Sequence, residues 1–183
     1  MNNVAVQTGS VHGRFQPPHL DHLHYIKMAK RKCGFLWIGI TQHDIRQLES
    51  STAAMHRSDP QNNILTYWER TEAISRMLIS SGLNPAEFGF CPFPIECPDK
   101  LPDYVGKEVV CFTTIVDDWN NKKISILRDL GYKVEVLWEK DKKRHEGKQI
   151  RGKIKACDPS WRQHVHSAVA EYLDEIGAAQ RIS

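Results

Sequence analysis

Gly13-Arg14-Phe15-Gln16-Pro17-Pro18-His19-Leu20-Asp21-His22 is the stretch on which the reading of this chain turns. A strand over Thr8–Gly13 runs into a turn built from a glycine and two prolines. A helix-compatible run, Leu20 to Lys32, opens directly behind the turn. Leu20, Leu23, Ile26 and Ala29 form its apolar edge, and His19 and His22, three apart, lie on a neighbouring edge. A helix start offers unpaired backbone N–H groups and the positive end of the dipole, which suit an anion. Imidazole N–H groups add further donors for phosphate oxygens. The turn therefore reads as a place to hold the polyphosphate of a nucleotide. Gly13 lets the backbone approach a ligand, and Arg14 offers a forked donor if it points inward.

Outward from the turn, strand and helix alternate, which predicts an α/β fold. The expected form is a Rossmann-like parallel sheet of about five strands with helices on both faces, plus C-terminal helices. Gly34–Ile40 reads as a second, buried strand. Gln42 to Asn63 is polar and aperiodic, hence a long loop or insert. Thr66-Tyr67-Trp68-Glu69 matches a capping box, and the helix behind it carries Ile74, Met77 and Leu78 until Gly82 and Pro85 end it. Phe88–Ile95 and Val109–Ile115 are the next strands. Asp117 or Asp118 can cap a helix with Ile124, Leu127 and Leu130 inward; Gly131 closes it, and Lys133–Trp138 is the fifth strand. A basic segment spans Lys140–Lys153. A final helix is expected over 158–177, opened by Asp158-Pro159 and striped by Trp161, Val165, Val169, Leu173 and Ile176.

The 183 residues suit a single domain over 1–183 with a sizeable core. A formal net charge of +3 is too small to argue for nucleic acid. No apolar run is long enough to span a bilayer, and Met-Asn-Asn-Val lacks the pattern of a signal peptide. The five cysteines are odd in number and none has C-x-x-C spacing, so they read as reduced and mostly buried. A cytoplasmic protein with no membrane and no nucleic-acid partner is expected.

Other residues carry two readings from spacing alone. Lys148 and Arg151, one turn apart behind Gly147, are either cations for the far end of a triphosphate or part of a solvated basic face. Glu69 is explained by the capping box, whereas Arg70 faces away from it. Asp117-Asp118-Trp119 follows a strand end, where open α/β sheets bind ligands. Either aspartate can instead be a cap, and Trp119 can be core.

These residues resemble the nucleotidyltransferases whose phosphate motif is H-x-G-H after a first strand, and especially the archaeal-type nicotinamide-mononucleotide adenylyltransferases. Gly13 to Pro17 with His19 and His22 match the first motif. Asp59-Pro60 with Glu69-Arg70, Ile95-Glu96-Cys97, Tyr104-Val105-Gly106, and Gly147 with Ile150 and Arg151 match later ones. The likeness spans nearly the whole chain. It implies direct attack of a substrate phosphate on the α-phosphorus of a nucleoside triphosphate, ATP favoured, with release of pyrophosphate. On that resemblance His19, His22 and Arg151 are catalytic. Gly13, Arg14, Phe15, Gln16, Lys148 and Ile150 bind nucleotide and phosphate, and Arg70, Tyr104, Asp118 and Trp119 face the phosphorylated small-molecule acceptor. Mg²⁺ would be bound mainly through the triphosphate, with no residue assigned as its direct ligand. Relatives form oligomers, and no patch in the sequence reads as an interface.

The departures are specific. Asp21 stands where the motif has glycine; its carboxylate can turn to solvent, help hold a divalent cation, or lower activity. Glu146 and Lys148 replace the hydroxyl residues of the late motif, and Tyr104 stands where the family has a ring-stacking tryptophan. Asp117-Asp118-Trp119 is similar to the D-D-W segment of glycerol-phosphate-type cytidylyltransferases. Two alternatives therefore stand beside ATP and nicotinamide mononucleotide: cytidylyl transfer to a small phosphorylated alcohol, and a nucleotide-binding sensor or scaffold that has lost turnover.

Overall fold

Val11, Leu36, Ile38, Ile40 and Phe112 have almost no exposed surface, because their strands are covered on both faces. A computed structural model of the chain describes residues 6–48, 59–139 and 144–182. Its five strands are β1 (Val6–Gly13), β2 (Cys33–Ile40), β3 (Phe88–Pro92), β4 (Val110–Ile115) and β5 (Val134–Glu139). All pair in parallel, in the order β3-β2-β1-β4-β5. The fold is Rossmann-like, as the alternation predicts. β1 sits at the centre, with Gly13 opposite Ile40 in β2 and Ser10 opposite Cys111 in β4.

The helices are α1 (Leu20–Lys30), α2 (Tyr67–Ser80), α3 (Asp118–Asp129), α4 (Gly147–Lys155) and α5 (Ser167–Glu175). α1, α2, α4 and α5 share one apolar cluster with Val11, Leu36, Ile38 and Phe112 of the sheet. On the opposite face Leu127 of α3 packs with Cys91, Cys111, Phe93 and Tyr132. The expected capping box holds: Thr66 Oγ1 accepts the Glu69 N–H at 3.2 Å, and Glu69 accepts the Thr66 N–H at 2.9 Å. Asp117 caps α3 by accepting the Asn120 N–H at 3.1 Å.

The helix expected over 158–177 is broken. Pro159–His164 forms a 3-10 segment capped by Asp158, Val165 is extended (φ −121°, ψ 163°), and α5 begins only behind His166. The cause is local: His166 Nδ1 accepts the Ala168 N–H at 3.3 Å and restarts the helix. Trp161, Val165, Val169 and Leu173 still bury in one cluster, so the apolar stripe runs across the break without a continuous helix beneath it. Part of the expected long loop, residues 49–58, and Lys140, Lys142 and Lys143 of the basic segment lie outside the described residues.

Candidate active site

The chain reverses direction across the sheet between β1 and β4, and a cavity of about 500 Å³ opens there at the carboxyl ends of the strands. A cavity in this position is where open parallel sheets take their ligands. Three helix starts contribute to its lining: His19, Asp21 and His22 of α1, Asp117, Trp119 and Asn120 of α3, and Glu146, Gly147 and Lys148 of α4. Three positive dipole ends aimed at one space make a field suited to an anion.

The histidine turn forms one wall. Phe15 takes a left-handed backbone conformation (φ 54°), and the Gln16–Pro17 peptide bond is cis. The Gln16 amide holds the turn against the approach to α2: it donates to Leu65 O at 2.8 Å and accepts the Leu65 N–H at 2.9 Å. The His19 N–H donates to His22 Nδ1 at 3.3 Å. Acceptance at Nδ1 places the proton of a neutral His22 on Nε2. The two imidazoles stack with centroids 3.6 Å apart, and Phe15 meets the His22 ring edge-on at 4.6 Å. The pair is therefore held in place by the motif's own residues.

α4 forms the opposite wall. Arg151, 6% exposed, donates to the carbonyl oxygen of Gln16 and to Asn62 Oδ1. Burial pulls its pKa down, with Asp59 opposing that shift. Lys148 sits in the first turn of α4, the wrong end of the dipole for a cation. That placement makes sense if an anion occupies the cavity.

Asp21 has a definite partner. Its Oδ2 accepts the backbone N–H groups of Arg144 (2.9 Å) and His145 (3.0 Å), tying the segment ahead of α4 to the first turn of α1. The carboxylate that replaces the motif glycine thus joins the two walls of the cavity.

Of the predicted residues, Gly13, Arg14, Phe15, Gln16, His19, His22, Trp119, Lys148 and Arg151 line this one cavity. Four do not. Arg70 is fully buried, and its five N–H groups donate to the carbonyls of Thr66, Arg14, Thr41, Gln42 and His43. Arginine has five such donors, so no hydrogen remains for an acceptor molecule. Tyr104 lies 44% exposed beside His43 instead of in the cavity. Asp118 is exposed on α3, and its neighbour Asp117 lines the cavity in its place. Ile150 is a core residue with no exposed surface.

Sequence reasoning missed His12, Asn62, Lys123 and His145, all of which line the cavity. His12 stacks flat on Phe93 (4.4 Å, 4°) at the end of β1. Lys123 is 8% exposed on α3, inside a helix where a lysine normally faces water. A cation at an inward position of that helix was the available signal for Lys123. Nothing in the sequence marks His145.

Among the described residues no group of three or more His, Cys, Asp or Glu is placed to hold a metal ion. Asp21 and Asp117, two carboxylates on the cavity wall, each accept backbone N–H groups.

Fold and site together define an α/β protein whose cavity, at the carboxyl ends of the strands, is lined by three helix starts and suits an anion. No family model matches the chain. It is 34% identical over 175 residues to phosphonoformate cytidylyltransferase of Streptomyces viridochromogenes, covering 96% of this chain and 95% of that protein. It is 30% identical over 172 residues to nicotinamide-nucleotide adenylyltransferase of Pyrococcus furiosus, covering 93% and 84%. Among solved structures, a bifunctional NMN adenylyltransferase/ADP ribose pyrophosphatase from Francisella tularensis superposes with a TM-score of 0.66 at 16% identity. That match covers 96% of this chain and 52% of that one, so the chain spans about half of the bifunctional protein. The chain belongs to the nucleotidyltransferase family that includes phosphonoformate cytidylyltransferase and the archaeal nicotinamide-nucleotide adenylyltransferases.

Proposed function

We propose that the chain, acting as a single domain, moves a nucleoside monophosphate from a nucleoside triphosphate to a small phosphorylated or phosphonate acceptor, releasing pyrophosphate. The observation that carries this reading is the convergence of three helix starts, His19, His22, Lys148 and Arg151 on one cavity. An acceptor oxygen attacks the α-phosphorus, and the bond to the bridging oxygen of the pyrophosphate breaks. No protein nucleophile is required. His22, with its Nε2–H, and His19 stabilise charge on the oxygens of the reacting phosphorus, while Lys148 and Arg151 hold the departing pyrophosphate. Magnesium, bound together with the nucleotide, would supply charge neutralisation. A Francisella structure of the same fold was solved with AMP and a Mn ion, which supports a divalent ion accompanying the nucleotide.

Two donor and acceptor pairs have support. We place CTP with a small phosphonate first. The 34% relative carries that activity in its name and spans nearly the whole chain. The D-D-W segment also puts Asp117 and Trp119, with Lys123, into the cavity wall. Of the four acceptor residues expected from the resemblance, Trp119 lies in that wall, and Arg70, Tyr104 and Asp118 lie outside it. ATP with nicotinamide mononucleotide is the second reading, supported by archaeal relatives at 24–30% identity. A cytoplasmic setting fits the buried thiols: burial pushes Cys33 and Cys111 up to about 11 and Cys91 up to about 12, which keeps them protonated packing groups.

Pyrophosphate release, measured with CTP or ATP against a panel of phosphonates, phosphorylated alcohols and nicotinamide mononucleotide, tests the proposal. Release with CTP and a phosphonate is expected. Release confined to ATP and nicotinamide mononucleotide selects the second reading. Tight nucleotide binding without release in any pair sinks the enzyme reading and leaves the sensor.

A further inference from the structure

We propose that His145 is a third imidazole at the phosphate end of the cavity, positioned by Asp21 and His164 to bind the departing pyrophosphate. The inference rests on the nucleotidyl-transfer reading and deepens it.

Three observations place the ring. His145 lines the cavity, with its centroid 6.5 Å from that of His19. Its backbone N–H is held by Asp21 Oδ2 at 3.0 Å. Its Nδ1 lies 3.0 Å from Nδ1 of His164, a residue of the 3-10 segment that packs against α4. The imidazole is thus fixed from both sides, by its main chain and by one ring nitrogen.

The contact between two Nδ1 atoms has a chemical consequence. One hydrogen lies between them, so one ring donates while the other accepts with a bare Nδ1. If His145 donates, protonation at its Nε2 makes it a cation with one N–H left for an anion. His164 is then the neutral acceptor. Burial, followed by the charges of Lys153 and His145, lowers the His164 pKa, with Asp158 opposing, and this favours that assignment. The groups around the pair are Glu146, Lys148, Arg151 and Lys153 of α4, His19, Asp21 and His22 of α1 with its cap, and Asp158 beside the 3-10 segment. In its protonated form His145 offers pyrophosphate one charge-assisted N–H.

The test uses the full chain with magnesium and inorganic pyrophosphate as the probe, followed by calorimetry. His145→Ala should weaken pyrophosphate about tenfold, the scale of one charge-assisted hydrogen bond. His164→Ala should weaken it too, whereas His164→Gln, which keeps an acceptor, should restore part of the affinity. Asp21→Asn keeps an acceptor oxygen and should bind better than Asp21→Gly. Melting temperatures report on folding, and His145→Gln serves if the alanine variant does not fold. Pyrophosphate binding by His145→Ala with the affinity of the parent overturns the inference. Binding is read without an acceptor, so a failure of the proposed function in the release assay leaves this comparison intact.

Discussion

Gly147 faces the carbonyl oxygen of Gln16 so closely that a Cβ added at Gly147 would lie 2.7 Å from that oxygen. The start of α4 can meet the histidine turn only because this residue has no side chain. Gln16 O also accepts from Arg151, one turn further along α4, so the same oxygen sets the distance between the two walls.

Gly147→Ala should push α4 away from the turn. The obstacle is backbone, which cannot rotate aside, so a loss of about 1–3 kcal/mol is expected, as for other overpacked contacts. Urea denaturation measures this. Pyrophosphate release should fall more than tenfold, because misplacement by about 1 Å can cost a hundredfold. An alanine variant with parental stability and rate would refute the close contact.

His22→Ala should lower turnover by roughly 10²–10³-fold, the usual cost of removing one donor from a charge-stabilising site. The melting temperature should change little, since the ring is only partly buried and its Nδ1 serves a single N–H at 3.3 Å. A rate close to the parent's removes the histidine turn from the chemistry.

Arg70→Met should destabilise the protein severely without changing any group that touches substrate. Five buried or half-buried carbonyls lose their donor, and each unsatisfied buried acceptor costs about 1–3 kcal/mol before relaxation. Loss of folding, or a fall in the denaturation midpoint with nearly normal KM in the residual folded fraction, is the expected result. A stable variant with a raised acceptor KM would restore Arg70 to the binding residues.

Acid should weaken the fold through histidines held neutral. His43 and His164 both have pKa values lowered from the ordinary 6.5, His43 first by burial and His164 first by burial. A base whose folded pKa is depressed binds fewer protons than in the unfolded chain. Stability is therefore unaffected well above 6.5 and declines as the pH falls through that value toward the folded pKa. Melting temperatures at pH 5 and 7.5 should differ less in His43→Gln than in the parent.

The fold was legible because each element carries its own signal. Thr66 and Glu69 announce a capping box, and Val109–Ile115 is an apolar run whose two faces are both covered. Phe15, His19 and His22 were legible as a group because the first motif is local and its backbone demands are strict. Arg70 misled because sequence shows which residue is near a motif but not how many carbonyls surround it. His145 was invisible for the opposite reason. Its role depends on Asp21, 124 positions away, and on His164 across α4, and neither spacing repeats anything a local pattern encodes. The break at Val165 escaped notice because burial periodicity survives a change of backbone path.

The link between Asp21 and the Arg144–His145 segment also constrains how this protein can be altered. A reversion of Asp21 to glycine removes the anchor while leaving the segment shaped to reach it. A transplanted late segment arrives without the carboxylate that orients it. The two stretches are separate in the gene but form one exchangeable module. Chimeras with relatives should retain function when both are swapped together and lose it when either moves alone.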